Sequence, residues 1–144
     1  MNSETISPEL PIWYRATSTI LSCGALAKIA SALYLEWTGL VIDVFLFKSS
    51  VLLAIGLYEL LLAGFLLSGR VPVIPKLVLG FWTGSAFLAT HVFYHVLKIG
   101  GCPCLGVLGQ SGGMLSRIMN VIIIAAAFYI FLGSLNLFRK ELHP

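Results

Sequence analysis

Residues 49–68 read SSVLLAIGLYELLLAGFLLS, a run of twenty residues in which Glu59 is the only charged side chain. A helix of about 20 apolar residues matches the hydrocarbon core of a bilayer, which is about 30 Å thick. A span surrounded by lipid must also satisfy its backbone hydrogen bonds internally, which favours a helix. This segment therefore predicts a transmembrane helix.

Three further stretches share this length and apolar character: residues 16–35, 77–97 and 118–138. The sequence therefore predicts an all-α integral membrane protein built as a four-transmembrane-helix bundle. We expect one membrane domain over residues 15–140, with short tails at residues 1–14 and 141–144.

The composition of the 144-residue chain supports the same class. Hydrophobic residues make up 58% of the chain and charged residues only 10%. A soluble domain carries about 25% charged residues, because it must present a wettable surface. The net charge of +3 is too small to indicate nucleic-acid binding. The partner that composition implies is the lipid bilayer.

The basic residues near the span ends predict the orientation. Five of them fall on one side of the predicted bundle: Arg15, Arg70, Lys76, Arg139 and Lys140. Three fall on the other side: Lys48, Lys98 and Arg117. Short loops rich in Lys and Arg stay in the cytoplasm, so we expect both termini inside a bacterial cytoplasmic membrane.

Four ionisable residues lie within the predicted spans: Lys28, Glu59, His91 and His95. Such groups are costly in lipid and therefore mark candidate functional positions. Lys28 and Glu59 lie on consecutive spans, either as a buried ion pair or with Glu59 as a proton carrier. His91 and His95 are four residues apart on one helix face. They suit metal binding, proton transfer or hydrogen bonding to neighbouring helices.

The connection after the third span contains residues 101–106, GCPCLG. With both termini cytoplasmic, Cys102 and Cys104 face the extracytoplasmic side, where disulfides persist. A disulfide across one intervening residue is strained, and strained disulfides are labile and oxidising. The pair suits thiol exchange, but two thiolates also suit a soft metal, and two structural free thiols remain an alternative. The third cysteine, Cys23, is expected to be a small packing residue in the first span.

These features together resemble the MauE/DoxX-like family of redox-associated membrane proteins, which includes methylamine-utilisation proteins. The resemblance rests on Lys28 in the first span, Glu59 in the second, and a C-x-C-x-G motif formed by Cys102, Cys104 and Gly106. The family motif usually reads Cys-Gly-Cys-Phe-Gly, whereas this chain has Pro103 and Leu105.

The resemblance implies a four-helix bundle related in architecture to vitamin K epoxide reductase. It also implies a role in disulfide formation or in maturation of an extracytoplasmic protein, beside a thioredoxin-like partner. The two histidines are not part of the family pattern.

Three functional hypotheses follow. The first is a membrane thiol-disulfide oxidoreductase in which Cys102 and Cys104 exchange disulfides, with Lys28 and Glu59 handling protons. No nucleotide or flavin fingerprint is present, so no cofactor is evident, and any organic cofactor would have to lie between the helices. A membrane quinone is the candidate electron acceptor. The second is a protein that handles copper, zinc or mercury through His91, His95 and the two cysteines. The third is a non-catalytic scaffold subunit of a membrane complex.

The charge distribution gives a testable orientation. A reporter fused after the C-terminus is expected to be cytoplasmic, because Arg139 and Lys140 mark the inner side. A membrane-impermeant thiol reagent should label reduced Cys102 or Cys104 in intact cells. Labelling that appears only after permeabilisation would reverse the orientation.

Overall fold

The computed structural model describes residues 12–40, 48–96 and 114–142, without the side chains of residues 94–96, 115 and 116. These residues form four α-helices: α1 (Ile12–Thr38), α2 (Ser49–Leu67), α3 (Val73–Val96) and α4 (Met114–Leu142). The described residues contain no strand. All four helices are long and apolar enough to cross a membrane. The predicted class, an all-α multi-pass membrane protein with four spans, is confirmed.

The helices extend beyond several of the predicted spans. α1 begins at Ile12, four residues before the predicted span over residues 16–35. Trp13 and Tyr14, in the first turn of α1, are both buried inside the bundle. α3 begins at Val73, and Pro75 is tolerated in its first turn, where a missing N–H breaks no helical hydrogen bond.

The four helices form two antiparallel pairs. α1 packs mainly against α2 and α3 mainly against α4, whereas the pairs contact each other less. A Cβ atom at Gly56 of α2 would lie 2.8 Å from a side-chain carbon of Ile29, and one at Gly84 of α3 would lie 2.9 Å from the backbone nitrogen of Phe131. Glycine therefore allows the close helix approach within each pair, as small residues do in membrane proteins.

The indole of Trp13 joins the two pairs. It extends from α1 into a slot between Gly80 of α3 and Gly133 of α4, where added Cβ atoms would overlap its ring. Its Nε1 donates a hydrogen bond to the backbone oxygen of Tyr129, at 3.4 Å. A large side chain of one pair thus fills a gap left by two glycines of the other.

Lys76, in the first turn of α3, contacts the end of α2. Its side chain is buried. Its ammonium group donates a hydrogen bond to the backbone oxygen of Ser68, the C-cap of α2. It also lies 5.3 Å from the ring centroid of Tyr14. A cation at the carboxyl end of a helix is favourable because it faces the negative end of the helix dipole.

The Trp13 slot predicts the effect of adding one methyl group. Gly133→Ala forces a rigid, buried ring to move, so we expect a loss of about 1–3 kcal/mol in the free energy of unfolding. The matched control is Gly64→Ala, where a Cβ meets no atom within 4 Å. That change should cost nothing. Unfolding of both variants in detergent micelles measures the difference, and equal stability would show that the slot is not close-packed.

Candidate functional site

Lys28 occupies the buried face of α1. The buried positions of this helix recur three or four residues apart: Leu21, Ala25, Lys28, Ala32 and Leu35. This spacing places them on one face of a helix, so the face that packs against the bundle carries one cation. Only 3% of Lys28 is exposed.

Glu59 occupies the corresponding face of α2. It lies ten residues after the start of α2 at Ser49, which corresponds to about 15 Å along a helix and therefore to the middle of this span. Only 1% of Glu59 is exposed. The burial of this carboxylate follows the same periodicity, since Gly56 and Leu62 on either side of it are also buried.

The two residues form an ion pair inside the bundle. The Lys28 ammonium donates to both carboxylate oxygens of Glu59, at 2.9 Å each. The first of the two alternatives for these residues, a buried ion pair, is therefore confirmed, and the pair carries no net charge. A role of Glu59 as a proton carrier stays a prediction. An isolated charge at this depth would be strongly destabilising, so each partner permits the burial of the other.

Phe87 is the residue of α3 that contacts the ion pair. Its ring centroid lies 5.6 Å from the Lys28 nitrogen, within the range of a cation–π interaction. Three of the four helices therefore meet at Lys28. No feature of the sequence distinguishes Phe87, because its span contains several aromatic residues of equal apolar character.

A cavity of about 290 Å³ lies beside the ion pair. Lys28, Glu59 and Phe87 line one side of it. Four apolar side chains of α4 line the other side: Met119, Ile122, Ile123 and Ala126. The cavity therefore lies between the two helix pairs, where their contacts are fewest.

Cys23 also lines this cavity and is exposed. The expectation that it packs inside the bundle was wrong. It lies two residues from both Leu21 and Ala25, about 200° around the helix from each, and therefore off the buried face. Hydropathy alone does not report this, because a small apolar residue suits lipid and protein interiors equally.

His91 and His95 both lie in α3, as predicted. His91 follows Phe87 by four residues and so shares its helix face, one turn nearer the end of α3. Its Nδ1 atom is buried, and no hydrogen-bond partner for it exists among the described residues. The side chain of His95 lies outside the described part of the structure.

Cys102 and Cys104 lie outside the described residues, in the connection between the end of α3 and the start of α4. Their distance from each other and from the histidines therefore stays a prediction. Within the described ranges, no group of three or more His, Cys, Asp or Glu residues is arranged to hold a metal ion. The proposed ligand set includes both cysteines, so this finding does not decide the metal hypothesis.

Comparison with known proteins identifies no relative of this chain. No protein-family model matches the chain, and neither a curated protein nor a solved structure is similar to it. The resemblance to MauE/DoxX-like proteins therefore rests on the residues of the sequence motif alone.

The ion pair predicts a specific pattern of stability. Glu59→Gln leaves a buried ammonium group without its partner, so we expect a loss of about 3–5 kcal/mol in the free energy of unfolding. Adding Lys28→Met to this variant should restore most of the loss. The matched control is Glu36→Gln, at an exposed carboxylate that accepts a hydrogen bond from Ser49. The amide oxygen of glutamine accepts the same bond, so this change should cost no more than about 0.5 kcal/mol.

Unfolding in detergent micelles measures all three variants. A Glu59→Gln protein as stable as the parent would show that the pair does not stabilise the bundle. Glu59 would then be retained for another role, such as carrying a proton.

Proposed function

We propose that this protein is a membrane thiol-disulfide oxidoreductase of the bacterial cytoplasmic membrane. In this proposal Cys102 and Cys104 exchange disulfides with an extracytoplasmic client or thioredoxin-like partner. The observation that supports it best is the contact between Lys28 and Glu59. These residues carry two of the three elements of the resemblance to MauE/DoxX-like proteins, and they form one site although they lie 31 positions apart.

The proposed reaction oxidises two thiols of the client. A client thiolate attacks the Cys102–Cys104 disulfide, forming a mixed disulfide and releasing one cysteine of the pair as a thiolate. The second client thiolate then attacks the mixed disulfide, so the client leaves with a disulfide and the pair is left as two thiols. Two electrons and two protons must then leave the pair. A membrane quinone, which becomes a quinol, accepts both.

The buried residues supply a route for protons in this proposal. His91 lies one turn beyond Phe87, toward the connection that carries the cysteines, and Phe87 contacts Lys28. A neutral imidazole accepts a proton at one nitrogen and releases one from the other. The Nδ1 of His91 has no hydrogen-bond partner within the described ranges, so it is suited to pass protons between the cysteine connection and the interior.

The same nitrogen favours a second candidate function, which is metal handling. A buried imidazole nitrogen without a hydrogen-bond partner is also a ligand for copper, zinc or mercury. In that case His91 and His95 act together with Cys102 and Cys104. Both candidates need the cysteines, so loss of activity on replacing them does not separate the two functions.

Trapping separates the two candidates. Thiol exchange is reversible, so a variant that keeps one cysteine of the pair can attack the disulfide of an oxidised client, forming a mixed disulfide and releasing one client thiolate. Such a variant lacks the second cysteine that would resolve this mixed disulfide and should therefore trap it. We therefore expect Cys102→Ser or Cys104→Ser to give a reductant-sensitive band of higher mass on a non-reducing gel from cells. The matched control is Cys23→Ser, which should give no such band.

Replacement of the histidines is the second part of this experiment. Replacing both His91 and His95 should leave the trapped species intact in thiol exchange, whereas in metal handling it should sharply lower metal affinity. The absence of a trapped band in both cysteine variants, together with stoichiometric metal in the parent protein, would exclude the redox function.

A further inference from the structure

The cavity beside Lys28 and Glu59 differs from an ordinary packing gap in size and position. Its volume is about 290 Å³. A cavity of about 150 Å³ already accommodates benzene, and ligand pockets begin at about 300 Å³. The volume thus suits a compound with two rings.

The cavity is open toward the lipid. Cys23 on α1 is exposed and Ile122 on α4 is 53% exposed, and both line the cavity. Its mouth therefore lies between α1 and α4, the helices at the weakly packed junction of the two pairs. A compound dissolved in the bilayer reaches it without crossing water.

The two charged groups in the cavity wall restrict the charge of a ligand that can bind. Among the described residues, the lining is almost entirely apolar, and its only charged groups are the ammonium of Lys28 and the carboxylate of Glu59. These charges neutralise each other at 2.9 Å. A charged ligand would add an unpaired charge to the site, so the fitting ligand is neutral.

Hydrogen bonding specifies the functional group. A lysine ammonium has three N–H donors, and the contacts to the two oxygens of Glu59 use two of them. Lys28 lines the cavity, and its nitrogen lies 5.6 Å from the centroid of the Phe87 ring. A ligand that bonds to Lys28 must contribute an acceptor, because an ammonium group has donors only.

We propose that this cavity binds a neutral, lipid-soluble two-ring compound whose carbonyl oxygen accepts a hydrogen bond from Lys28. All the residues that define this binding site lie within the part of the chain that the structure describes. It goes beyond the proposed thiol chemistry and does not depend on Cys102 or Cys104.

Benzophenone is a suitable probe, because it has two rings and its carbonyl forms covalent adducts with nearby C–H bonds under near-ultraviolet light. The experiment uses the full chain with Cys102→Ser and Cys104→Ser in proteoliposomes, so failure of thiol exchange does not affect it. We expect adducts concentrated on Met119, Ile122 and Ile123. Adducts spread evenly over lipid-facing side chains such as Leu61 and Trp82 would overturn the proposal.

A matched pair of competitors tests the carbonyl. Dicyclohexyl ketone and dicyclohexylmethane differ only in that group. We expect the ketone to suppress adduct formation at a concentration at least about tenfold lower, since hydrogen bonds to charged groups are the stronger ones. Equal competition would show that the cavity takes any apolar chain and would refute carbonyl recognition.

Two sets of variants locate the interaction. Lys28→Met combined with Glu59→Met removes both charges without leaving one unpaired, and it should abolish the preference for the ketone. Ala126→Phe fills the cavity and should remove the adducts on α4. Its control is Ala125→Phe, at an exposed neighbouring position that does not line the cavity. This control should leave the adducts unchanged.

Circular dichroism and size-exclusion chromatography establish that each variant is folded. If a filled variant does not fold, the competitor pair on the parent chain still decides the proposal. Persistence of the α4 adducts in a folded Ala126→Phe protein would overturn it.

Discussion

The ion pair between Lys28 and Glu59 is the constraint on which the arrangement of this bundle depends. Lipid gives no solvation to a charge at mid-span, so neither side chain is tolerated there alone. Their meeting fixes the rotation of α1 and α2 about their own axes, because both must point toward the same interior position. It also fixes the vertical register of the two helices, since both carboxylate oxygens lie within hydrogen-bonding distance of one nitrogen.

The remaining contacts are apolar and act through shape. Gly56 and Gly84 allow close packing within each helix pair, and the slot for Trp13 joins one pair to the other. Helix association in lipid draws on such fitting of surfaces, because transfer from lipid to protein gains little hydrophobic energy. The junction between the pairs is packed tightly at Trp13 and less tightly beside Lys28, which is where the cavity lies.

This arrangement connects stability to chemistry. The neutral pair provides a polar site within an apolar wall, and the cavity lies directly beside it. The same face of α3 carries Phe87 at the pair and His91 one turn farther along. A protein that moves electrons and protons between extracytoplasmic thiols and the membrane needs such a path, which is why these residues and the cysteine motif are assigned to one proposed function.

The fold class followed from the sequence, and the ion pair between Lys28 and Glu59 was one of the two alternatives that the sequence predicted. Twenty-residue apolar stretches identify spans whatever their neighbours, because the bilayer sets the required length. Two opposite charges on consecutive spans have few partners other than each other, so their pairing was also predictable. The burial of Trp13, the exposure of Cys23 and the part played by Phe87 were not.

The sequence by itself determined that the chain spans the membrane four times and where its costly side chains lie. Only the tertiary structure decided which faces of the helices meet. The physical reason is that these helices are apolar on nearly every side, so the amphipathic pattern that orients a helix in a soluble protein is weak here. Orientation came instead from the glycine contacts, the indole slot and the ion pair, which depend on residues far apart in the chain.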